Sequence, residues 1–130
     1  MMKNFKILFW LIAIHSCVAG LLLIILGDEG LHFFGFRDGN AFFQVQGGVF
    51  HLVMCVAYVM TAVNLKQSKQ LIIFIILAKT IALLYLLAYF IFIDQIIVVL
   101  ISGIADGLMA LMVYFFYRRL HNNYFEGGKV

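Results

Sequence analysis

The sequence contains no proline and few charged residues. Charged types make up 12% of its 130 residues, and hydrophobic types make up 65%. A soluble domain carries roughly 25% charged residues, so this chain has too little charge to cover a water-facing surface. The mean hydropathy of +1.09 agrees, and the composition predicts an integral membrane protein with a single domain. Because proline is absent, no helix is expected to kink by the loss of a backbone donor.

Several signatures of catalytic and metal sites are also missing. The two cysteines, Cys17 and Cys55, lie within apolar segments, whereas a disulfide scaffold places its cysteines in the loops of a small secreted chain. We interpret both as small apolar packing residues. The sequence has no zinc-ligand spacing, HExxH motif, phosphate-binding loop or nucleophile elbow, so it predicts no metal site and identifies no catalytic residue. Its basic residues are few and are explained by membrane topology, so nucleic acid is not expected as a partner.

Four apolar segments are long enough to cross a membrane as helices. A membrane helix needs ~20 mostly apolar residues, and the chain has four such segments, at about residues 5–26, 43–64, 70–92 and 95–117. Backbone polar groups in lipid must be bonded within the segment, which favours helices. Only Asp94 and Gln95 interrupt the last two segments, and so short a link predicts an antiparallel hairpin. We therefore predict an all-α fold, an antiparallel up-down four-helix bundle over residues 1–120.

The charged residues outside these segments predict the orientation. If the four spans alternate, seven basic residues fall on one side of the membrane: Lys3, Lys6, Lys66, Lys69, Arg118, Arg119 and Lys129. The other side holds a single basic residue, Arg37, with four acidic residues: Asp28, Glu29, Asp38 and Asp94. The positive-inside rule then places both termini in the cytoplasm. This is an N-in/C-in, multi-pass protein of the cell (cytoplasmic or inner) membrane, with a short cytoplasmic tail at 121–130.

The segment 27–42 is the longest predicted loop. Its sequence, GDEGLHFFGFRDGNAF, combines glycines with four phenylalanines. This density of phenylalanine is too high for a solvated loop. The segment is expected either to anchor the protein at the membrane interface or to fold back as a partial lid over the bundle, and the residues favour the interfacial anchor.

Four ionisable residues, one from each span, fall near the middle of the membrane. Counted at ~1.5 Å per residue from the predicted cytoplasmic ends of the spans, Lys79, His15 and Asp106 lie about 14–17 Å deep, and His51 about 20 Å deep. The hydrocarbon core is ~30 Å thick, and a lone lysine or aspartate at its centre costs ~2.5–3.5 kcal/mol. Lys79 and Asp106 lie at nearly equal depth on adjacent helices. We therefore predict that they form an ion pair, with His15 and His51 close enough to hydrogen-bond the carboxylate or receive its proton.

Small and polar residues at helical spacing predict which helix faces point inward. In the second span they form one stripe: Gly47, His51, Cys55, Tyr58 and Ala62. In the fourth span Ser102, Asp106 and Ala110 stack, and Gly103 and Gly107 beside them form a small-xxx-small pair. These patterns predict a buried binding pocket made of six residues: His15, His51, Tyr58, Lys79, Ser102 and Asp106.

Three stretches resemble a group of small bacterial membrane proteins. They are GGVFHLVMCVAYVMTA at Gly47–Ala62, the dipeptide Ala78-Lys79, and GIADGLMALMVYFFYRR at Gly103–Arg119. Together they resemble DoxX-like four-helix proteins of bacterial membranes. The resemblance implies a four-helix fold over nearly the whole chain and an accessory role near respiratory or redox chemistry. It implies no catalytic residues.

The sequence leaves several functions open, including whether the protein is an enzyme. We favour a pocket in the lipid bilayer for a hydrophobic small molecule, such as a lipid or a quinone, or a role as accessory to a larger membrane complex. Proton-coupled transport by a homodimer is an alternative, but small multidrug-resistance exporters of this size use a glutamate in the first span, where this chain has His15. Haem held by His15 and His51 is a further alternative. A final alternative is a purely structural membrane protein, in which the Lys79–Asp106 pair locks the bundle.

Overall fold

The computed structural model describes residues 2–37 and 41–120, apart from the side chain of Asp28. Within these ranges the chain forms five α-helices: α1 (Met2–Ile25), α2 (Asp28–Phe33), α3 (Ala41–Val63), α4 (Lys69–Phe92) and α5 (Ile97–Leu120). The four longer helices have 23 or 24 residues each and are apolar enough to cross a membrane. The prediction of an all-helical fold with four such helices is confirmed, and it indicates a multi-pass membrane protein. The predicted tail at 121–130 lies outside the described residues.

The long helices pack mainly as two pairs, α1 with α3 and α4 with α5. Glycines bring the first pair together. A Cβ atom on Gly20 would lie 2.8 Å from the carbonyl oxygen of Gly48, and a Cβ atom on Gly48 would lie 2.7 Å from that of Gly20. In the second pair Gly103 and Gly107 face α4, where a Cβ atom on Gly107 would lie 2.9 Å from Cδ2 of Leu83. Small residues therefore allow close backbone approach in both pairs, as is typical of helices packed in membranes.

All four long helices contribute to one apolar core, at the end of the bundle where α1 begins and α5 ends. The core contains buried residues from the first half of α1, the second half of α3, the first half of α4 and the second half of α5: Phe5, Phe9, Ile12, Met54, Tyr58, Ala62, Ile72, Ile75, Val113 and Leu120. The Phe5 ring stacks on that of Phe116, with centroids 5.5 Å apart. This half of the bundle is termed the closed end. The other half, which carries α2 and the α4–α5 turn, is termed the open end, because the two helix pairs leave cavities between them there.

At the open end, the first turn of α3 caps the end of α1. The last carbonyl groups of a helix have no partner within it. The side-chain amide of Gln44 donates to the carbonyl oxygen of Leu23 at 2.8 Å and also to that of Leu26. The Gln44 side chain therefore provides hydrogen bonds to two carbonyl groups at the end of α1, and it fixes where α3 starts beside them.

The short helix α2 lies within the segment predicted as a loop, and a glycine fixes its last turn. The N–H of Gly35 donates to the carbonyl oxygen of His32 at 3.0 Å, and the N–H of Phe36 donates to that of Leu31 at 3.1 Å. This is the Schellman arrangement, and it needs a left-handed residue such as Gly35, whose φ is +89°. Phe33, the last residue of α2, is 84% exposed, whereas Phe36, after the turn, lines a cavity in the bundle.

Candidate binding site between the helix pairs

Lys79 of α4 and Asp106 of α5 form a buried ion pair. Lys79 Nζ donates to Asp106 Oδ1, and the two residues are 5% and 9% exposed. The predicted pairing of these two residues is therefore confirmed. The close approach of Gly107 to Leu83, one turn further along α4, brings the two helices near enough for the side chains to meet. A buried charge needs a hydrogen-bonded partner, so Lys79 and Asp106 are stable at these buried positions only as a pair.

Tyr58 connects this ion pair to the other two long helices. It is 1% exposed and belongs to the core of the closed end. Lys79 Nζ lies 5.6 Å from the centroid of the Tyr58 ring, within the range of a cation–π interaction. Because Tyr58 is on α3 and Lys79 is on α4, this contact joins the two helix pairs where the closed end meets the cavities.

His51 of α3 is held by Ser16 of α1. Ser16 is 1% exposed, and its hydroxyl donates to the carbonyl oxygen of His51 at 2.9 Å. Its Oγ also lies 3.4 Å from His51 Nδ1. Because the hydroxyl hydrogen is committed to the carbonyl, the second contact is favourable when Nδ1 carries the proton, which leaves Nε2 of the neutral imidazole as an acceptor. The predicted pocket does not include Ser16, although its place after His15 on a small-residue face of α1 is a signal for it.

Two cavities lie between the helix pairs. The first has a volume of about 330 Å³ and is lined mainly by α1, by α5, and by α2 together with the turn that follows it. The second has a volume of about 360 Å³ and is lined mainly by α3 and α4. They are termed the α1–α5 cavity and the α3–α4 cavity. Four residues line both cavities and therefore form the wall between them: Leu23, His51, Leu86 and Asp106.

The structure brings the six residues of the predicted pocket to this one region. His15 and Ser102 line the α1–α5 cavity, Tyr58 and Lys79 line the α3–α4 cavity, and His51 and Asp106 line both. His15 and Ser102 differ from the other four in being exposed, so both lie at the outer surface of the α1–α5 cavity. The shared location is a fact of the structure, whereas binding of a ligand by these residues stays a prediction.

Residues from α2 and the turn that follows it cover the α1–α5 cavity. Leu31 is 9% exposed and lines the cavity together with Phe34 and Phe36. Other apolar side chains complete much of the wall: Leu22, Leu26, Val98 and Val99. An apolar enclosure with a few polar groups is characteristic of sites for small hydrophobic ligands.

The polar groups of the site offer hydrogen bonds, and its ion pair carries no net charge. Lys79 and Asp106 neutralise one another. The Ser102 hydroxyl can donate and accept, and the Asp106 carboxylate can accept. Residues 2–37 and 41–120 contain no group of three or more His, Cys, Asp or Glu side chains that could hold a metal ion. Haem ligation by His15 and His51, which line the same cavity, stays a prediction.

Comparisons with known proteins identify no relative of this chain. No protein-family model, curated protein or solved structure matches it. The resemblance to DoxX-like proteins therefore stays a prediction. Function has to be inferred from the buried ion pair and the two cavities beside it.

Proposed function

We propose that this protein binds the polar head of an uncharged, membrane-dissolved amphiphile, of lipid or quinone-like chemistry, between its two helix pairs. The observation that carries this proposal is the position of Asp106. Its carboxylate is paired with Lys79 in the bundle interior, and the residue also belongs to the wall of both cavities. An ion pair that only locks helices in register needs no cavity on either side of it.

Electrostatics supports an uncharged head. A net charge placed near the bilayer centre costs ~2.5–3.5 kcal/mol, and no lysine or arginine lines the α1–α5 cavity to offset an anion. The carboxylate of Asp106 can accept a hydrogen bond from a ligand hydroxyl, and the hydroxyl of Ser102 can donate to a ligand carbonyl oxygen. Quinones, quinols and long-chain alcohols carry such groups. The resemblance to DoxX-like proteins favours a quinone among them.

We further propose an antiparallel up-down bundle with both termini in the cytoplasm. Contacts between α1 and α3 support opposite directions, because Lys6 Nζ reaches the carbonyl oxygen of Val63 while Gln44 caps α1 at Leu26. The positive-inside rule supports the orientation. In this arrangement the closed end faces the cytoplasm, and the α1–α5 cavity opens in the other half of the membrane.

The first test is thermal unfolding of the full chain in detergent with three ligands of similar tail length. A short-tailed benzoquinone and a primary alcohol are expected to raise the midpoint, because a ligand at 100 times its Kd stabilises the folded state by about 2.7 kcal/mol. The matching carboxylate, measured at a pH where it is ionised, is expected to raise the midpoint far less. Equal stabilisation by the ionised acid would contradict an uncharged head.

A substitution in the cavity wall tests whether the ligand occupies the proposed site. Ser102→Ala is expected to weaken binding of the benzoquinone by roughly 2- to 10-fold, the effect of one hydrogen bond of about 0.5–1.5 kcal/mol. Thr80→Val is the matched control, because the Thr80 hydroxyl donates to the Ile76 carbonyl oxygen within α4 and lines neither cavity. Wild-type affinity in Ser102→Ala, or an equal loss in Thr80→Val, would place the ligand elsewhere.

A further inference from the structure

A groove lies at the open end, outside the two cavities. It has a volume of about 550 Å³ and is formed by the turn after α2 and by the α4–α5 turn with the start of α5. Its lining includes Phe33, Phe34, Arg37, Asp94, Gln95 and Ile97. Phe33 is 84% exposed and Ile97 is 69% exposed. Large apolar side chains therefore border a groove that also contains one residue of each charge.

The two charges of the groove do not neutralise one another. Arg37 is exposed and Asp94 is partly buried. The ion pair found among the described residues is that of Lys79 with Asp106, and none joins Arg37 to Asp94. Arg37 is also the only basic residue between the first and second predicted spans. A cation and an anion held apart in one groove form a surface for a ligand that carries both charges.

The position of the groove points to a lipid head group as this ligand. The groove is at the ends of α4 and α5, so its charged residues lie where a bilayer places its head groups. Phe33 and Ile97 offer apolar contact for the first part of the acyl chains. The guanidinium of Arg37 provides paired donors that fit phosphate oxygens, and the Asp94 carboxylate accepts hydrogen bonds from an ammonium group.

We propose that this groove binds a zwitterionic phospholipid with a primary amine, the phosphatidylethanolamine class, with its phosphate on Arg37 and its ammonium on Asp94. A choline head carries the same charges but has no N–H to donate to Asp94. A glycerol head has no cation, so its phosphate meets Arg37 with an uncompensated Asp94 nearby. The site should therefore prefer an ethanolamine head to both others.

This lipid site is separate from the proposed amphiphile site. Phe34 and Val98 line both the groove and the α1–α5 cavity, so the bound lipid lies against the outer side of the turn that covers the cavity. None of the six residues of the predicted pocket lines the groove. A negative result in the test of one site therefore does not count against the other site.

The experiment is native mass spectrometry of the full chain released from bilayers with equal amounts of ethanolamine, choline and glycerol phospholipids. Wild type is expected to retain the ethanolamine lipid about 2- to 5-fold more than the choline lipid, the ratio that a partly exposed ion pair of up to about 1 kcal/mol provides. Asp94→Asn is expected to bring that ratio to about one. Arg37→Gln is expected to reduce retention of all three lipids.

Matched controls separate the groove from the rest of the surface. Glu29→Gln removes an exposed carboxylate of α2, and Lys66→Gln removes an exposed cation from the loop between α3 and α4. Neither residue lines the groove, so both variants are expected to keep the wild-type preference. Equal retention of all three lipids by wild type, which means an adventitious lipid only, would overturn the proposal. So would a preference for the glycerol lipid, or an ethanolamine preference that survives Asp94→Asn.

A change in the lipid gives a second measurement that does not depend on the folding of a variant. Wild type is offered phospholipids whose amine carries no, one, two or three methyl groups. Retention is expected to fall with each methyl group, because each one removes an N–H donor while the charge stays constant. Constant retention across the series would overturn the assignment of the ammonium to Asp94.

Discussion

Lys79 and Asp106 show what single residues decide in this protein. Each alone would leave an unpaired charge among apolar helices, and breaking a buried pair costs about 3–5 kcal/mol. We therefore expect Lys79→Met and Asp106→Leu each to lower the free energy of unfolding by about this amount. The double variant removes both charges and is expected to recover most of the loss. Circular dichroism during denaturant unfolding in detergent measures all three.

The same double variant separates structure from binding. Under the proposed function it folds but loses the affinity for the primary alcohol, because the Asp106 carboxylate that accepts from the ligand hydroxyl is gone. Lys69→Met is the control, since Lys69 is exposed at the start of α4 and its loss is expected to change stability by less than about 0.5 kcal/mol. If the double variant both folds and binds as wild type does, the pair is a structural lock. If it is no more stable than the single variants, the assumed pairing energy is wrong.

The residues of the site differ in how far the sequence could predict them. The pairing of Lys79 with Asp106 could be predicted, because a short hairpin link and a count of residues place them at nearly equal depth. The small residues that follow His15 were the one signal for Ser16 as the partner of His51. A count of depth does not separate the two, since adjacent positions on a helix differ by about 100° in direction. That angle separates buried Ser16, which bonds His51, from exposed His15. A count of depth gives no information on direction around the helix axis.

At the scale of elements, two adjacent glycines of α3 are expected to behave differently. A Cβ atom on Gly48 would lie 2.6 Å from Ile24 Cγ1 and 2.7 Å from the Gly20 carbonyl oxygen. Gly48→Ala therefore forces α1 and α3 apart and is expected to destabilise the fold by about 1–3 kcal/mol. A Cβ atom on Gly47 would meet only Leu23 Cδ1, at 4.0 Å. Gly47→Ala is thus expected to be neutral or stabilising by up to about 1 kcal/mol, the difference in helix propensity.

Denaturant unfolding of both variants beside wild type measures this contrast. Both substitutions add the same methyl group at neighbouring positions of one helix, so propensity and solubility effects cancel between them. Equal stabilities of Gly48→Ala and Gly47→Ala would show that α1 and α3 do not approach each other at Gly20 and Gly48.

The elements were only partly predictable from the sequence. The four long helices follow from apolar length, and each observed helix overlaps its predicted span. The helix α2 could not be predicted in this way, because a mixture of glycine and phenylalanine has no helical period. The position at which α2 ends depends on the left-handed backbone of Gly35. The stripe that contains Gly47 correctly marks an inward face of α3, since Gly47 lines the α3–α4 cavity. It does not show that Gly48 makes the close contact with α1.

For the whole molecule, the decisive feature is the contrast between the closed and open ends. Hydrophobicity does not encode this contrast. Phe9 and Leu22 are both large apolar residues of α1, yet Phe9 is fully buried in the core and Leu22 lines a cavity. Whether two helix pairs converge or separate depends on how side chains interlock across them, and a single sequence gives no direct measure of that. The cavities could therefore be expected near the ionisable residues but not located.

Orientation in the membrane is the prediction that belongs to the whole molecule. Gln67 lies in the loop between α3 and α4, and Gln95 lies in the turn between α4 and α5, and both are exposed. We expect Gln67→Cys to react with a membrane-impermeant maleimide only after the cells are permeabilised, because its loop belongs to the side with most basic residues. Gln95→Cys is expected to react in intact cells. Both variants are made in a chain that carries Cys17→Ala and Cys55→Ala.

The two glutamines form a matched pair, because they are the same residue type at opposite ends of α4. Labelling in permeabilised cells shows that each introduced thiol is accessible, so a missing signal in intact cells reports the membrane and not burial. The reverse pattern would invert the bundle and turn the α1–α5 cavity toward the cytoplasmic half of the membrane. Labelling of both thiols from one side would contradict the up-down arrangement, because α4 could not then cross the bilayer.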